Sequence, residues 1–284
     1  MAIELRPAQA ADVPELGRIC YEAFKALCDR HGFPTDFATV EFGQQVTGML
    51  VAQEDVYSIG AFEGGAAKGS NHIEMWDEVA GVGPISVDVA TQGAGIGRML
   101  MENGIAEAAR HGHDMVRLCQ DAFNMQSLAL YASLGFEVKE PLANVVLSNA
   151  NAVDPAFRPA VPDDLPAMDE LCRSLYRVRR KGEIKALMQL GFPGFVIERS
   201  GSIVGYMVGT AIGHGVAESN ADMLALLNGL GATVPDAQAF VPMRNGELYK
   251  AVLAAGHRNR KVMNLMAYGP YEEPQAPYCP SVLF

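Results

Sequence analysis

The sequence predicts an α+β fold, a mixed sheet with helices on both faces, laid down twice along 284 residues. Three observations carry that expectation. Between Ile85 and Leu100 the apolar positions change from a strand period to a helix period across a glycine-rich turn. Between Met115 and Val138 a short apolar run passes into a helical segment that ends at a glycine. Arg6-Pro7-Ala8 with Asp12-x-Pro14 recurs, 152 positions on, as Arg158-Pro159-Ala160 with Asp164-x-Pro166.

The first copy reads as strand 2–6, helix 11–30, helix 35–52, and strands near 56–63, 68–76 and 83–90. Asp12 suits the N-cap of the first helix, with Pro14 early in its first turn. Residues 85, 87 and 89 alternate as a strand does, and from Ile96 the apolar positions 96, 99, 100 and 105 follow a helix. Helix 95–111, strand 114–120, helix 124–134 and strand 136–147 complete the copy. Polar Asn149 to Pro155 reads as the junction between domains 1–150 and 151–284. The second copy repeats strand, helix, helix, strand, strand, then helix 219–230, strand 237–241, helix 245–255 and strand 258–267. Leu16, Ile19 and Cys20 pair with Met168, Leu171 and Cys172, while Asn124 and Gly135 pair with Asn245 and Gly256 at an offset of 121. The second copy is therefore 31 residues shorter. The apolar tail Tyr278–Phe284 is expected to pack on the body of the protein or line a cleft between the domains.

Charge is uneven. Residues 1–150 hold 9 Lys/Arg against 20 Asp/Glu, so the whole net charge of −11 lies in the first copy. Such a surface is a poor partner for nucleic acid; it would draw a cationic amine, or it is a solvated acidic face with no functional role. Charges interrupt every apolar stretch, so no membrane span is expected. The five cysteines form no C-x-x-C pair, which argues against a zinc site or any other metal centre and against a disulfide framework. With no signal-peptide pattern at Met1-Ala-Ile-Glu-Leu-Arg6, a reducing cytoplasm is the expected setting.

Gly93, Gly95 and Gly97 leave backbone N–H groups uncovered at the positive end of a helix, a place for phosphate or pyrophosphate. The glycines alternate, so the G-x-G-x-x-G register of a dinucleotide fold fails, and Arg98-Met99 replaces the Lys-Ser/Thr of a P-loop. An ordinary strand-to-helix turn is the remaining alternative. The pattern that fits is Q-x-x-G-x-G, spelled by Gln92, Gly95 and Gly97, and it resembles the coenzyme A pyrophosphate loop of the GNAT (GCN5-related) N-acetyltransferases. Asn124, Tyr131 seven residues later, and Gly135-Phe136 opening a final strand are similar to a second motif of that family.

The resemblance implies two tandem acyl-CoA N-acyltransferase (GNAT-like) domains with mostly antiparallel sheets, the first carrying an acetyl-CoA site. It implies that Val87, Asp88 and Val89 offer backbone to the pantetheine arm. It assigns the pyrophosphate to Gln92, Gly93, Ala94, Gly95, Ile96, Gly97 and Arg98, contact with the coenzyme arm to Asn124, and protonation of the leaving thiolate to Tyr131. In the second copy, Val216, Glu218 and Val252 stand where Gly95, Gly97 and Tyr131 stand in the first, so that copy is expected to be degenerate and without a coenzyme site. His72, Glu74, Asp77, Glu78 and Asp88 are candidates for the base that deprotonates the amine, and none is preferred. Phe33 and Asp36 could shape the acceptor pocket, or merely join two helices. Cys119 and His214 read as structural. The resulting expectation is acetyl transfer to the amine of a small molecule. A non-catalytic acyl-CoA sensor and a protein or peptide N-acetyltransferase are the alternatives.

Overall fold

The computed structural model describes residues 2–282. In chain order the elements are β1 (Ile3–Pro7), α1 (Val13–His31), α2 (Val40–Val51), β2 (Val56–Glu63), β3 (Ala66–Glu74), β4 (Val79–Val82), β5 (Ser86–Val87), α3 (Ile96–Arg110), β6 (Met115–Asp121), α4 (Met125–Ser133) and β7 (Glu137–Val146). There follow β8 (Phe157–Pro159), α5 (Leu165–Leu175), α6 (Lys181–Gln189), β9 (Gly194–Arg199), β10 (Ser202–Val208), β11 (Gly215–Ala217), α7 (Asn220–Thr233), β12 (Gln238–Pro242), α8 (Gly246–Ala254), β13 (Arg258–Tyr268) and β14 (Tyr278–Cys279). The expected fold class is the observed one.

Two compact units divide the chain. The first comprises residues 1–75, 79–117 and 123–136, and the second 76–78, 118–122 and 137–284. In the first, strands follow the order β1-β2-β3-β4-β6, with β5 beside β3. The β1–β2, β2–β3 and β3–β4 ladders are antiparallel, and β4 runs parallel to β6. Alternation along β2 supplies both helix layers. Ile59 and Ala61 pack with Ile96 and Leu100 of α3. On the opposite face, a side chain at Gly60 would meet Leu16 of α1, which clusters with Ile19, Phe62 and Ala67.

In the second unit β10 pairs with β9 and β11, and β8 pairs with β9. α7 covers one face, where a Cβ on Gly205 would meet Leu226 at 3.1 Å. The strand β7 lies between β13 and β12, antiparallel to both. This moves the boundary expected at residue 150. Strand 137–146 belongs by sequence to the first copy, yet both its edges are satisfied by the second, so compactness divides the chain at Phe136–Glu137. The second half of β6 joins the same unit: Ala122 N donates to Val262 O at 3.0 Å, and Lys261 Nζ meets Asp121 Oδ1 at 2.7 Å.

The repeat is visible in its ion pairs. Arg6 grips Asp12 with two bonds of 2.7 and 2.8 Å, and Arg158 grips Asp164 with two of 2.7 and 2.9 Å. Each aspartate also accepts a backbone N–H at 2.8 Å, from Gln9 and Val161 respectively. Asp12 is the N-cap residue of α1, as expected, but its carboxylate holds the short turn before the helix and makes no side-chain cap bond to α1 itself. Asn124 and Asn245 cap α4 and α8 by accepting from Ser127 N and Leu248 N. Helix 35–52 starts later than expected, at Val40, because Thr39 Oγ1 accepts Phe42 N and fixes the start there. The tail does pack on the body, through Tyr278–Val282, while Leu283 and Phe284 lie outside the described residues.

Two outcomes follow for solution work. Asp12→Ala and Asp164→Ala should each lower unfolding free energy by about 0.5–2 kcal/mol in urea titrations, through loss of the held turn and the two-bonded arginine. A fragment of residues 1–150 would carry β7 with both edges bare and should aggregate, seen by size-exclusion chromatography, where the full chain does not.

Candidate active site

The strand expected over 83–90 is broken. Ile73 faces Val82 and Ser70 faces Ser86, so two residues of β3 oppose three of the neighbouring chain, Gly83 to Ile85. This one-residue bulge ends β4, and β5 is only Ser86–Val87. Val89 is therefore not in a strand, contrary to expectation; it opens a 3-10 turn, Val89–Thr91. Asp88 makes that turn: its N–H donates to Lys68 O, its carboxylate accepts Ala90 N at 2.9 Å, and its carbonyl accepts Thr91 N at 2.8 Å.

The loop then reverses into α3. Gly93 and Gly95 both adopt φ of +86°, where L side chains are strained, and a Cβ on either would meet only open space. Glycine is required here by backbone conformation and not by crowding. Gly95 is the N-cap of α3. The first N–H groups of a helix lack acceptors within it, and here residues 92–95 are exposed beside them. Ile96, 2 % exposed, anchors the start of α3 in the core. At Gly97 a Cβ would make only ordinary contact, 3.5 Å from Leu130 and 3.8 Å from Val87. Those contacts place α4 beside the loop. The Gln92 side chain donates back to Val87 O at 3.2 Å. That bond engages one of the carbonyls expected to pair with a ligand. Arg98, exposed, donates to Ser133 Oγ of α4 at 2.6 Å.

Tyr131 lies on α4, two helical turns after Asn124, and is 7 % exposed. Its carbonyl accepts Phe136 N at 3.0 Å, closing the helix over Gly135, whose φ is +97°. Loop, Asn124 and Tyr131 thus belong to one unit, on adjoining elements. Phe33 stacks on Phe123, the residue before Asn124, with centroids 4.3 Å apart and planes 7° from parallel. Asp36 is half-buried on the same α1–α2 connector. Phe123 and Ser133 were not legible as site residues, since each is singled out only by a partner far away in sequence.

The candidate bases separate. Asp77 accepts Gly182 N and Glu183 N, each at 2.8 Å, at the start of α6, and burial raises its carboxyl above the usual range. Glu78 accepts Arg179 N at 3.0 Å. Asp88 is occupied by Ala90 N. His72 and Glu74 are both buried on β3. His72 Nδ1 lies 2.8 Å from Ser58 Oγ, its carbonyl accepts Gly83 N of the bulge, and burial holds the imidazole down at about 4. Cys119 donates to Ser281 O and burial pushes its thiol far up, so it is no nucleophile. His214 is fully buried against Tyr206 OH at 2.7 Å.

In the second unit β11 runs almost directly into α7. Ser219 Oγ accepts Asp222 N at 3.1 Å, and the Asp222 carboxylate stands in the first turn. Val216, expected opposite Gly95, lies within β11, so the 121 offset that aligns Asn124 with Asn245 does not extend back to the loop. No helix among the described residues is long and apolar enough to cross a membrane.

Residues 16–136 match the model of the acetyltransferase (GNAT) family. Over 69 residues the chain is 45 % identical to a mycothiol acetyltransferase of Kocuria rhizophila, a match covering 24 % of this chain and 22 % of that protein. The chain thus matches about a fifth of that relative's length. A provisionally assigned acetyltransferase of Pyrococcus horikoshii superposes with a TM-score of 0.79 at 18 % identity, over 99 % of this chain and 94 % of that one. A GCN5-related N-acetyltransferase of Sphaerobacter thermophilus gives 0.62 at 18 %, over 96 % and 98 %. A tandem GNAT protein from the clavulanic acid biosynthesis pathway gives 0.58 at 15 %, over 95 % and 100 %. At these identities the solved structures establish the fold.

The pH dependence of His72 has a definite sign. An unfolded histidine titrates near 6.5 and the folded one at about 4, so between those values the unfolded state binds more protons. Stability is full above pH 6.5 and falls toward pH 4, by up to about 3 kcal/mol from this residue. His72→Gln should flatten that part of the profile in urea melts at stepped pH. An unchanged slope would show that His72 is already protonatable in the fold.

Proposed function

We infer that this chain, whose residues 16–136 match the model of the GNAT acetyltransferase family, is an N-acetyltransferase that takes acetyl-CoA and passes its acetyl group to the amine of a small molecule. The observation that carries this is the Gly93–Gly95 reversal into α3, with its exposed first-turn donors. An anion at such a helix start gains about 0.3–2 kcal/mol from the dipole alone, and Arg98 stands one turn in. The fit to a pyrophosphate is good, since neither loop glycine has a neighbour within 4 Å of a would-be side chain. Gln92 to Arg98 would hold the pyrophosphate, and Val87, Asp88, Val89 and Asn124 would meet the pantetheine arm. The amine nitrogen would bond to the thioester carbon as the carbon–sulfur bond breaks, Tyr131 would give its proton to the departing sulfur, and the proton lost by the nitrogen would pass to water, from which Tyr131 is reprotonated. An ordinary thiol near ~8.5 leaves far more readily with such a donor.

The first copy would carry the coenzyme site and the second, with Ser219 and Asp222 at the start of α7, would not. The matched relative is a mycothiol acetyltransferase, which favours a small-molecule acceptor over a protein. Net negative charge on the first copy suits an alkylammonium acceptor.

Isothermal titration with acetyl-CoA should give one site per chain, and absence of binding would refute the assignment. Gly95→Val, forced to φ of +86°, should weaken binding by about tenfold or more. Tyr131→Phe should bind acetyl-CoA as the parent does while kcat on an amine panel falls by about 10²–10⁴. Unchanged turnover would remove Tyr131 from the chemistry.

A further inference from the structure

In the first unit β4 lies directly against β6, in parallel, through Val79–Met115, Ala80–Val116 and Gly81–Arg117. In the second unit β11 and β12 flank α7 as β4 and β6 flank α3, yet β11 pairs with the C-terminal tail. Gly215 faces Cys279 and Val216 faces Tyr278 in an antiparallel ladder, and Ala217 N donates to Pro277 O at 3.0 Å. Cys279, 1 % exposed, sits in one apolar cluster with Ala239 and Val241 of β12, Met223 of α7 and Leu248 of α8. The tail strand therefore packs into the core on the β12 side while bonding to β11.

The tail is tied down along its length. Gln275 N donates to Leu175 O and Val282 N to Ala211 O, each at 2.8 Å. Tyr278 packs on Tyr176 with ring centroids 5.0 Å apart. Ser281, with no exposed surface, places its Oγ 3.4 Å from Arg180 Nη2. Arg180 is itself fully buried and ion-paired with Glu183, whose carboxylate also faces His214 Nδ1 at 3.2 Å. A buried ion pair holds only while water is excluded and its remaining polar atoms are met. Ser281 serves that purpose for Arg180.

We propose that Gln275–Val282 is an internal ligand of the second unit: the tail adds as a strand to β11 and fills a slot, bounded by β12 and the Arg180–Glu183–His214 cluster, that accepts extended peptide chains. Recognition is by main-chain bonds to β11, with Tyr278 and Cys279 as side-chain anchors. Pro277 and Pro280 cannot donate, so the anchors and a few bonds carry specificity. The proposal is independent of acetyl transfer, and its readouts need no coenzyme.

The test uses the full chain with a protease site placed at the exposed Glu272–Glu273 stretch. After cleavage the protein should keep its tail through size exclusion. A fluorescent synthetic peptide of residues 274–284, in excess, should then exchange into it. Peptides bearing Tyr278→Ala or Cys279→Asp should compete about tenfold more weakly or worse. Equal competition by the Cys279→Asp peptide, or a tail that leaves while Ala217 N–H stays protected from hydrogen exchange, would overturn the proposal. In the uncleaved chain, Cys279→Asp should speed exchange at Ala217 and Val282, and unchanged exchange at both would equally overturn it.

Discussion

The two-sided pairing of β7 is the constraint on which the second unit rests. Its ladder with β13 runs from Glu137–Ala267 to Val146–Arg258, and its ladder with β12 from Leu142–Pro242 to Val146–Gln238. A strand paired on both edges leaves few backbone groups unmet, and each unmet one would be costly when buried. Ala143 and Val145, both without exposed surface, carry the strand into the apolar cluster that also holds Leu230, Leu248 and Cys279. The chain that leaves α4 at Gly135 therefore passes straight into the core of the other unit. The first copy, as written in the sequence, is not the first body of the fold.

A second constraint is the demand of backbone donors for acceptors. Sequence alone offers five side chains near β3 and β5 as proton acceptors. Three of them are claimed by main chain: Asp77 by two N–H groups of α6, Glu78 by Arg179, and Asp88 by Ala90. These contacts tie the three carboxylates to the local fold, and Asp77 is held there even though burial raises its carboxyl above the usual range. His72 and Glu74, both buried, share the sheet face that carries Ser58 and the bulge at Gly83, and His72 Nδ1 lies 2.8 Å from Ser58 Oγ.

Much of this was legible in residues. The change of period at Ile85–Leu100 located the loop, and Asn124 with Gly135 bounded α4 within a residue. The recurrence of Arg6 with Asp12 as Arg158 with Asp164 was legible as a repeat, and the structure shows it as two ion pairs of near-identical geometry. Local chemistry decides those features, so local reading finds them. What escaped reading is decided at a distance. The bulge opposite Asn71 and His72 depends on the register of β3, and alternation of 85, 87 and 89 could not reveal it. The choice of β13 and β12 as partners for β7 leaves no trace in the pattern of β7. β14 is two residues between prolines, too short for any period, and only its neighbours make it a strand. Likewise Phe33 and Phe123 lie 90 positions apart, and no spacing rule joins them.

The two copies answer one problem in opposite ways. A helix begins with donors that its own carbonyls cannot reach. At α7 the protein meets that need internally: Ser219 accepts one donor, and Asp222, paired with Arg199, puts a carboxylate in the first turn. An incoming phosphate would meet that negative charge. At α3 no acidic residue stands in the first turn, the N-cap is a glycine without a side chain, and the loop before it is exposed. Both helices pack equally well, through Ile96 and Leu100 in one case and Met223 and Leu226 in the other. Packing therefore does not explain the difference. At α3 the first-turn donors face solvent, and the two left-handed glycines add to the conformational entropy lost on folding. An exposed helix start with a glycine N-cap and no acidic residue in its first turn is the kind of place where the negative group of a ligand gains from backbone donors and the helix dipole, which is what the proposed coenzyme would bring.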